Sequence, residues 1–61
     1  MTRDHALKRA KAMRDGLIRM MKIASNPKLP FGDRYKAVIL CEEYEEAARR
    51  FDMFAEREKA S

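Results

Sequence analysis

The stretch Ser25-Asn26-Pro27-Lys28-Leu29-Pro30-Phe31-Gly32-Asp33 interrupts an otherwise helix-forming sequence of 61 residues. It contains both prolines and one of the two glycines of the chain. Pro27 disfavours helical backbone angles at the residue before it, so a helix that reaches this stretch ends there. The sequence on either side is rich in Ala, Leu, Met, Lys, Arg and Glu, which favour helix. The stretch therefore predicts a turn between two helices.

The segment before this turn predicts one amphipathic helix. Its apolar residues recur every three or four positions, a spacing that places side chains on one face of a helix. The Thr2 hydroxyl can accept a hydrogen bond from a free backbone N–H of the first turn, so Thr2 is the expected N-cap. Gly16 leaves an alternative open, because an Asp15-Gly16 turn would divide the segment into two shorter helices. The apolar seam keeps its phase across Gly16, which favours an unbroken helix. The seam consists of Ala6, Ala10, Met13, Leu17, Met20 and Ala24.

The segment after the turn predicts a second helix with the same apolar spacing. Two starting points are open, since Pro30 can occupy the first helical position and Asp33 can cap a later start. The charged outer face also contains acidic and basic residues four positions apart, a spacing that allows ion pairs on a helix. The expected pairs are Glu45–Arg49 and Glu46–Arg50. The seam consists of Ala37, Cys41, Tyr44, Ala48, Phe51 and Ala55.

Two long helices joined by a short loop pack antiparallel, so the sequence predicts an all-α helical hairpin. Residues 1–61 form one domain in this prediction, with helices at about 3–24 and about 33–59 and a loop at about 25–32. A chain of this length buries little apolar surface and is only marginally stable alone. The single cysteine excludes an internal disulfide. Association with another chain is therefore the expected source of additional stability.

Each predicted helix also carries apolar side chains outside its seam, and these cluster beside the predicted loop. A two-helix unit has one inner face, so it cannot bury a second apolar set, and exposed apolar patches mark interfaces. We predict a protein–protein interface at this end, in its simplest form a homodimer that completes a four-helix bundle. In the alternative, the loop folds back and Leu29 and Phe31 cover part of the patch. The predicted interface residues are Ile18, Met21, Phe31, Tyr35, Val38 and Ile39.

The net charge of +4 is unevenly distributed along the chain. Residues 1–28 contain eight basic and two acidic residues, whereas residues 29–61 contain six basic and eight acidic residues. A basic band can contact an acidic protein or the phosphates of a nucleic acid. No helix-turn-helix, zinc or RNA-recognition motif accompanies it, so nucleic-acid binding is the alternative to protein binding. The residues predicted to contact an acidic partner are Arg9, Lys11, Arg14 and Lys22.

The sequence lacks the residue combinations from which catalytic sites are commonly built. His5 and Cys41 are the only residues of their types and fall near opposite ends of the predicted hairpin. No Glu-x-x-His pattern or Gly-rich phosphate loop is present. We therefore predict no catalytic, cofactor-binding or metal-binding residues, and a non-enzymatic protein-binding module such as a regulator, inhibitor or adaptor.

The sequence also predicts where the protein is located. No apolar run is long enough to span a bilayer. The first helix is basic but lacks Trp or Phe residues to anchor it on a membrane surface, so no membrane partner is expected. The lone cysteine is compatible with a reducing compartment, and the expected location is the cytoplasm.

Overall fold

The computed structural model describes residues 1–60 and contains two helices, α1 (Arg3–Ala24) and α2 (Phe31–Ala60). α1 has 22 residues and α2 has 30. No strand occurs in this part of the chain, and the two helices pack along each other in a rod of 48 × 13 × 13 Å. The predicted all-α helical hairpin is confirmed.

Hydrogen bonds at the helix ends explain where each helix begins and stops. The Thr2 hydroxyl accepts from the backbone N–H of His5 at 3.1 Å, so Thr2 is the N-cap of α1 as predicted. The Ser25 hydroxyl donates to the Met21 carbonyl at 2.9 Å, which satisfies an acceptor of the last turn. α2 begins at Phe31, directly after Pro30, and Asp33 lies in its first turn. The helix therefore starts between the two predicted positions, with Pro30 directly before its first residue and not in it.

Arg34 links the two helices beside the loop. Its Nε donates to the carbonyl of Ala24, the last residue of α1, at 3.2 Å in a partly buried position. The last carbonyls of a helix lack partners within the helix, and a cation there also favours the helix dipole. The side chain of one helix therefore caps the other and fixes the bend between them.

Replacing Arg34 with Met should lower the free energy of unfolding by about 1–2 kcal/mol, because a charged donor to a partly buried carbonyl is lost while the apolar stem remains. Thermal and urea unfolding followed by circular dichroism would measure this difference. Lys36→Met is the matched control, since Lys36 is exposed and two residues away. Equal stabilities for the two variants would show that the cap contributes nothing.

The core of the hairpin consists of small side chains. The five buried apolar residues are all alanines, each at most 4% exposed: Ala6, Ala10, Ala37, Ala48 and Ala55. The larger residues of the two predicted seams are only half-buried, including Met13, Leu17, Tyr44 and Phe51. Alanine lets two helix backbones approach closely, and larger side chains then lie along the edges of the contact. The seam positions were predicted, but the sequence analysis did not anticipate that no side chain larger than alanine would be buried.

Gly16 lies inside α1 and is buried against α2. A Cβ atom at this position would lie 3.0 Å from both Cε1 and Cζ of the Tyr44 ring. The glycine therefore makes room for an aromatic ring of the facing helix. The alternative of a turn at Asp15-Gly16 is wrong, because α1 continues through both residues.

Ion pairs join exposed side chains in the part of the chain that the structure describes. The two i,i+4 pairs predicted on α2 are present, Glu45–Arg49 at 3.3 Å and Glu46–Arg50 at 2.7 Å. The third pair, Arg14–Asp52, joins α1 to α2 and was not predicted. Pairs this exposed add little to stability, so their main value is to show which side chains lie together.

Candidate protein interface

The hairpin has two broad faces, each with a shallow groove between the helices. The Arg14–Asp52 ion pair lies at one groove, and we call that side the Arg14 face. We call the opposite side the Tyr44 face. The Arg14 face groove is lined by Arg14, Leu17, Glu45, Ala48, Arg49 and Asp52. The Tyr44 face groove is lined by Met13, Leu40, Glu43, Tyr44 and Ala47.

The periodicity of α1 places two of the predicted interface residues on the Arg14 face. Ile18 and Met21 follow Arg14 by four and seven residues, spacings that keep side chains on one side of a helix. Leu7 precedes Arg14 by seven residues and lies on the same side. All three are exposed, Ile18 and Met21 by more than half of their surface.

The same argument applies to α2 and places three more predicted residues on the Arg14 face. Val38 precedes Glu45 by seven residues, and Phe31 precedes Val38 by seven. Tyr35 lies between them, and its ring stacks on that of Phe31 with centroids 6.0 Å apart. Phe31 is 77% exposed, the most of any large apolar side chain of the described residues. Ile18, Met21, Phe31, Tyr35 and Val38 together form what we call the loop-end surface.

Ile39 is exposed and lies at the border of the loop-end surface. It lies about 100° around the helix from Val38, because successive residues of an α-helix differ by that angle. It follows Tyr35 by four residues and precedes Glu43, which lines the Tyr44 face, also by four. The structure therefore groups five of the six predicted interface residues on the Arg14 face and places the sixth between the two faces.

The loop does not cover the loop-end surface. Leu29 is half-buried, whereas Phe31, Tyr35 and Val38 remain exposed by 45% or more. The alternative in which Leu29 and Phe31 fold back over the patch is therefore not what the structure shows. At least five large apolar side chains at this end of the hairpin remain in contact with water.

The four basic residues predicted to contact an acidic partner fall on two sides of α1. Arg14 is already paired with Asp52. Lys11 precedes Arg14 by three residues, and Lys22 follows Ile18 by four. These spacings place both lysines beside residues of the Arg14 face. Arg9 precedes Met13 by four residues and lies toward the Tyr44 face. The structure therefore groups three of the four residues and separates Arg9 from them.

Two ridges run the length of the Arg14 face, and the sequence analysis missed the charged part of the ridge on α2. Each has the spacing of 4 and 3 residues that characterises a helix-packing seam. This spacing was visible in the sequence, but the glutamates were read only as a solvated outer face. The α1 ridge consists of Leu7, Lys11, Arg14, Ile18 and Met21. The α2 ridge consists of Phe31, Tyr35, Val38, Glu42, Glu45 and Arg49.

Other potential sites are few in the part of the chain that the structure describes. No three His, Cys, Asp or Glu side chains of residues 1–60 lie together in a metal-binding arrangement. His5 is exposed in the first turn of α1, and Cys41 is half-buried in α2. Neither helix is both long enough and apolar enough to cross a membrane. No family model, curated protein or solved structure matches the chain.

Proposed function

We propose that the chain is a non-enzymatic protein-binding module that acts through its loop-end surface. The observation that supports this proposal is the exposure of five adjacent large apolar side chains, which is 45–77% across Phe31, Tyr35, Val38, Ile18 and Met21. Burying one such side chain is favourable by about 1.5–3 kcal/mol, so a partner that covers them gains considerable free energy. A patch of this kind is typical of an interaction site.

The simplest partner is a second copy of the chain. Two hairpins that cover each other's apolar face form a four-helix bundle, a common solution for paired helices. The buried apolar side chains between α1 and α2 are all alanines, which cover little apolar area, so a dimer would also supply stability that the hairpin lacks. A role as a cytoplasmic regulator, inhibitor or adaptor is compatible with such a module.

Replacing Phe31 with Asp should abolish self-association in the micromolar range without unfolding α2. The change removes the most exposed apolar side chain and puts a carboxylate in the first helical turn, where the helix dipole favours it. Sedimentation equilibrium measures the dimer, and circular dichroism checks the helix content. Met53→Asp is the control, because Met53 is 59% exposed but lies far from the loop.

A dissociation constant of about 1 mM corresponds to a binding free energy of only about 4 kcal/mol. A wild-type chain that stays monomeric at that concentration would therefore exclude a second copy as the partner. Dimers of equal affinity for wild type and Phe31→Asp would instead place the interface outside the loop-end surface. The two results test the partner and the surface separately.

Nucleic-acid binding by the basic side of α1 is the competing proposal. It is supported by the excess of six positive charges in residues 1–28. Against it, Arg14 is paired within the hairpin and Arg9 lies toward the other face. If it holds, affinity for an oligonucleotide should fall steeply with added salt and with Lys11→Glu, whereas Phe31→Asp should leave it unchanged.

A further inference from the structure

We propose that the loop-end surface binds an acidic amphipathic helix of another protein, whose apolar side covers the surface and whose carboxylates pair with Lys11 and Lys22. This inference rests on the proposed function and names the chemistry of the partner. Three observations support it: the position of the net positive charge, the lack of partners for the two lysines, and the spacing of the exposed apolar side chains.

The part of the chain between Asp15 and Glu42 combines exposed apolar side chains with positive charge. It has seven of the ten exposed large apolar side chains of the described residues, and it has five basic residues. Its one acidic residue, Asp33, lies in the first turn of α2, where the helix dipole favours a carboxylate. Residues 1–15 and 42–61 contain nine basic and nine acidic residues. The net charge of the chain therefore lies in the same segment as the loop-end surface.

Two lysines on α1 border the loop-end surface and have no carboxylate as partner. Lys11 precedes Ile18 by seven residues and Lys22 follows it by four, so both lie on the side of α1 that carries Ile18. Both are exposed, and neither has a carboxylate of residues 1–60 within ion-pair distance, in contrast to Arg14 of the same helix. An acidic partner that covers Ile18 can therefore pair with both lysines.

The spacing of the exposed apolar side chains fits a helix as the partner. On α2, Phe31, Tyr35 and Val38 are four and three residues apart. On α1, Ile18 and Met21 are three residues apart. Rows of this spacing on two adjacent helices leave a groove that the apolar side of a third helix fills. The loop-end surface therefore favours an amphipathic helix over an extended peptide.

The length of the partner helix follows from the level of Lys11. Gly16 contacts Tyr44, so Lys11 lies level with a position about five residues beyond Tyr44 on α2. From Phe31 to that level the hairpin is about 27 Å long, which corresponds to a partner helix of about five turns. Glu42 lies on the α2 ridge within this length and is exposed. The carboxylates of the partner are therefore expected along its edge next to α1, and not along its edge next to Glu42.

The lysines distinguish this partner from a second copy and from a membrane. Two loop-end surfaces placed against each other bring lysines of both copies together, which is unfavourable across an interface. An anionic bilayer along the same side of the hairpin also meets the exposed Glu42 and Glu45. Without an acidic helix the hairpin can still associate with itself, and the helix then competes with the second copy for the same side chains.

Selection from a displayed library of helical peptides tests the charge of the partner. The library has leucines three and four residues apart and random residues elsewhere, and the wild-type chain is the target. We expect the selected peptides to be enriched in Asp and Glu. With Lys11→Glu/Lys22→Glu as the target, they should be enriched in Lys and Arg. Enrichment without a charge preference, or with the same preference for both targets, would overturn the acidic partner but leave the protein-binding surface.

The affinity of the most enriched acidic peptide, measured by fluorescence anisotropy, tests where its carboxylates bind. Lys22→Glu should weaken binding about five- to tenfold, and Lys22→Gln, which adds no carboxylate at the end of α1, about threefold. Lys36→Glu is the matched control, because Lys36 is exposed and lies four residues before Leu40 of the Tyr44 face. It should change the affinity less than about twofold. Equal losses for Lys22→Glu and Lys36→Glu would overturn the pairing with Lys22.

Phe31→Asp separates a failure of this inference from a failure of the proposed function. It should weaken binding of the acidic peptide at least about 30-fold, because it removes the most exposed apolar side chain of the surface. Equal binding by wild type and Phe31→Asp, or no enriched peptide at all, would refute both proposals. Phosphatidylserine vesicles that bind wild type but not Lys22→Glu, while no peptide is enriched, would identify a membrane surface as the ligand instead.

Discussion

Replacing Ala10 with leucine is expected to leave most of the chain unfolded or non-cooperatively folded at 25 °C. Ala10 is 0% exposed and lies in the contact between α1 and α2, where each fully covered apolar side chain is an alanine. A leucine at this position adds three carbon atoms and must push the helices apart, which also opens the contacts of the neighbouring alanines. Overpacking of this kind costs roughly 1–3 kcal/mol, a large part of the stability available to a domain of this size.

Ala12→Leu provides the control for Ala10→Leu. Ala12 is exposed on the same helix, two residues away, and leucine has nearly the same helix propensity as alanine. Urea unfolding followed by circular dichroism, at one protein concentration for all chains, should show a wild-type midpoint for Ala12→Leu and a much lower one for Ala10→Leu. Similar midpoints for the two variants would mean that the helices are not held at the distance that alanine sets.

The two helices and the loop between them could be predicted from the sequence, but the distance between the helices could not. The two prolines of the loop and the cap at Thr2 act on backbone only a few residues away, so the sequence around them is enough to predict their effect. The apolar spacing identifies which residues face the other helix. It does not say whether Met13 or Ala10 enters the contact more deeply, because that depends on how closely the backbones approach. The alanines set this distance, and the larger seam residues move to the edges.

The residues of the candidate interface could be predicted from the sequence, but the face of the hairpin on which they lie was harder to predict. An excess of apolar residues beside a loop is visible in any count, which is why Phe31 and Val38 were identified. Assigning these residues to one face of the hairpin or the other requires knowing on which side of each helix the other helix lies. The Arg14–Asp52 ion pair and the two grooves supply that direction in the structure. Only then is it clear that Val38, Glu42 and Glu45 lie on the same side of the hairpin as Arg14.

The contact between Gly16 and Tyr44 gives the second large expected effect. Gly16→Leu should lower the free energy of unfolding by roughly 1–3 kcal/mol even though leucine has the higher helix propensity. Two atoms of the Tyr44 ring lie 3.0 Å from the position of the added Cβ, so the ring must move or the helices must separate. Gly32→Leu is the control, since Gly32 is also in a helix and has no atom within 4 Å of an added Cβ. That variant should be as stable as the wild type or more stable.

A double-mutant cycle isolates the contact itself. Tyr44→Ala alone should destabilise the hairpin, because it opens a gap opposite the glycine. The leucine of Gly16→Leu can extend into that gap, so the double variant should be more stable than the sum of the two single changes by about 0.5–3 kcal/mol. Strict additivity in urea unfolding would mean that the two positions do not touch in solution. The sign of the coupling therefore reports whether α1 and α2 pack in the observed register.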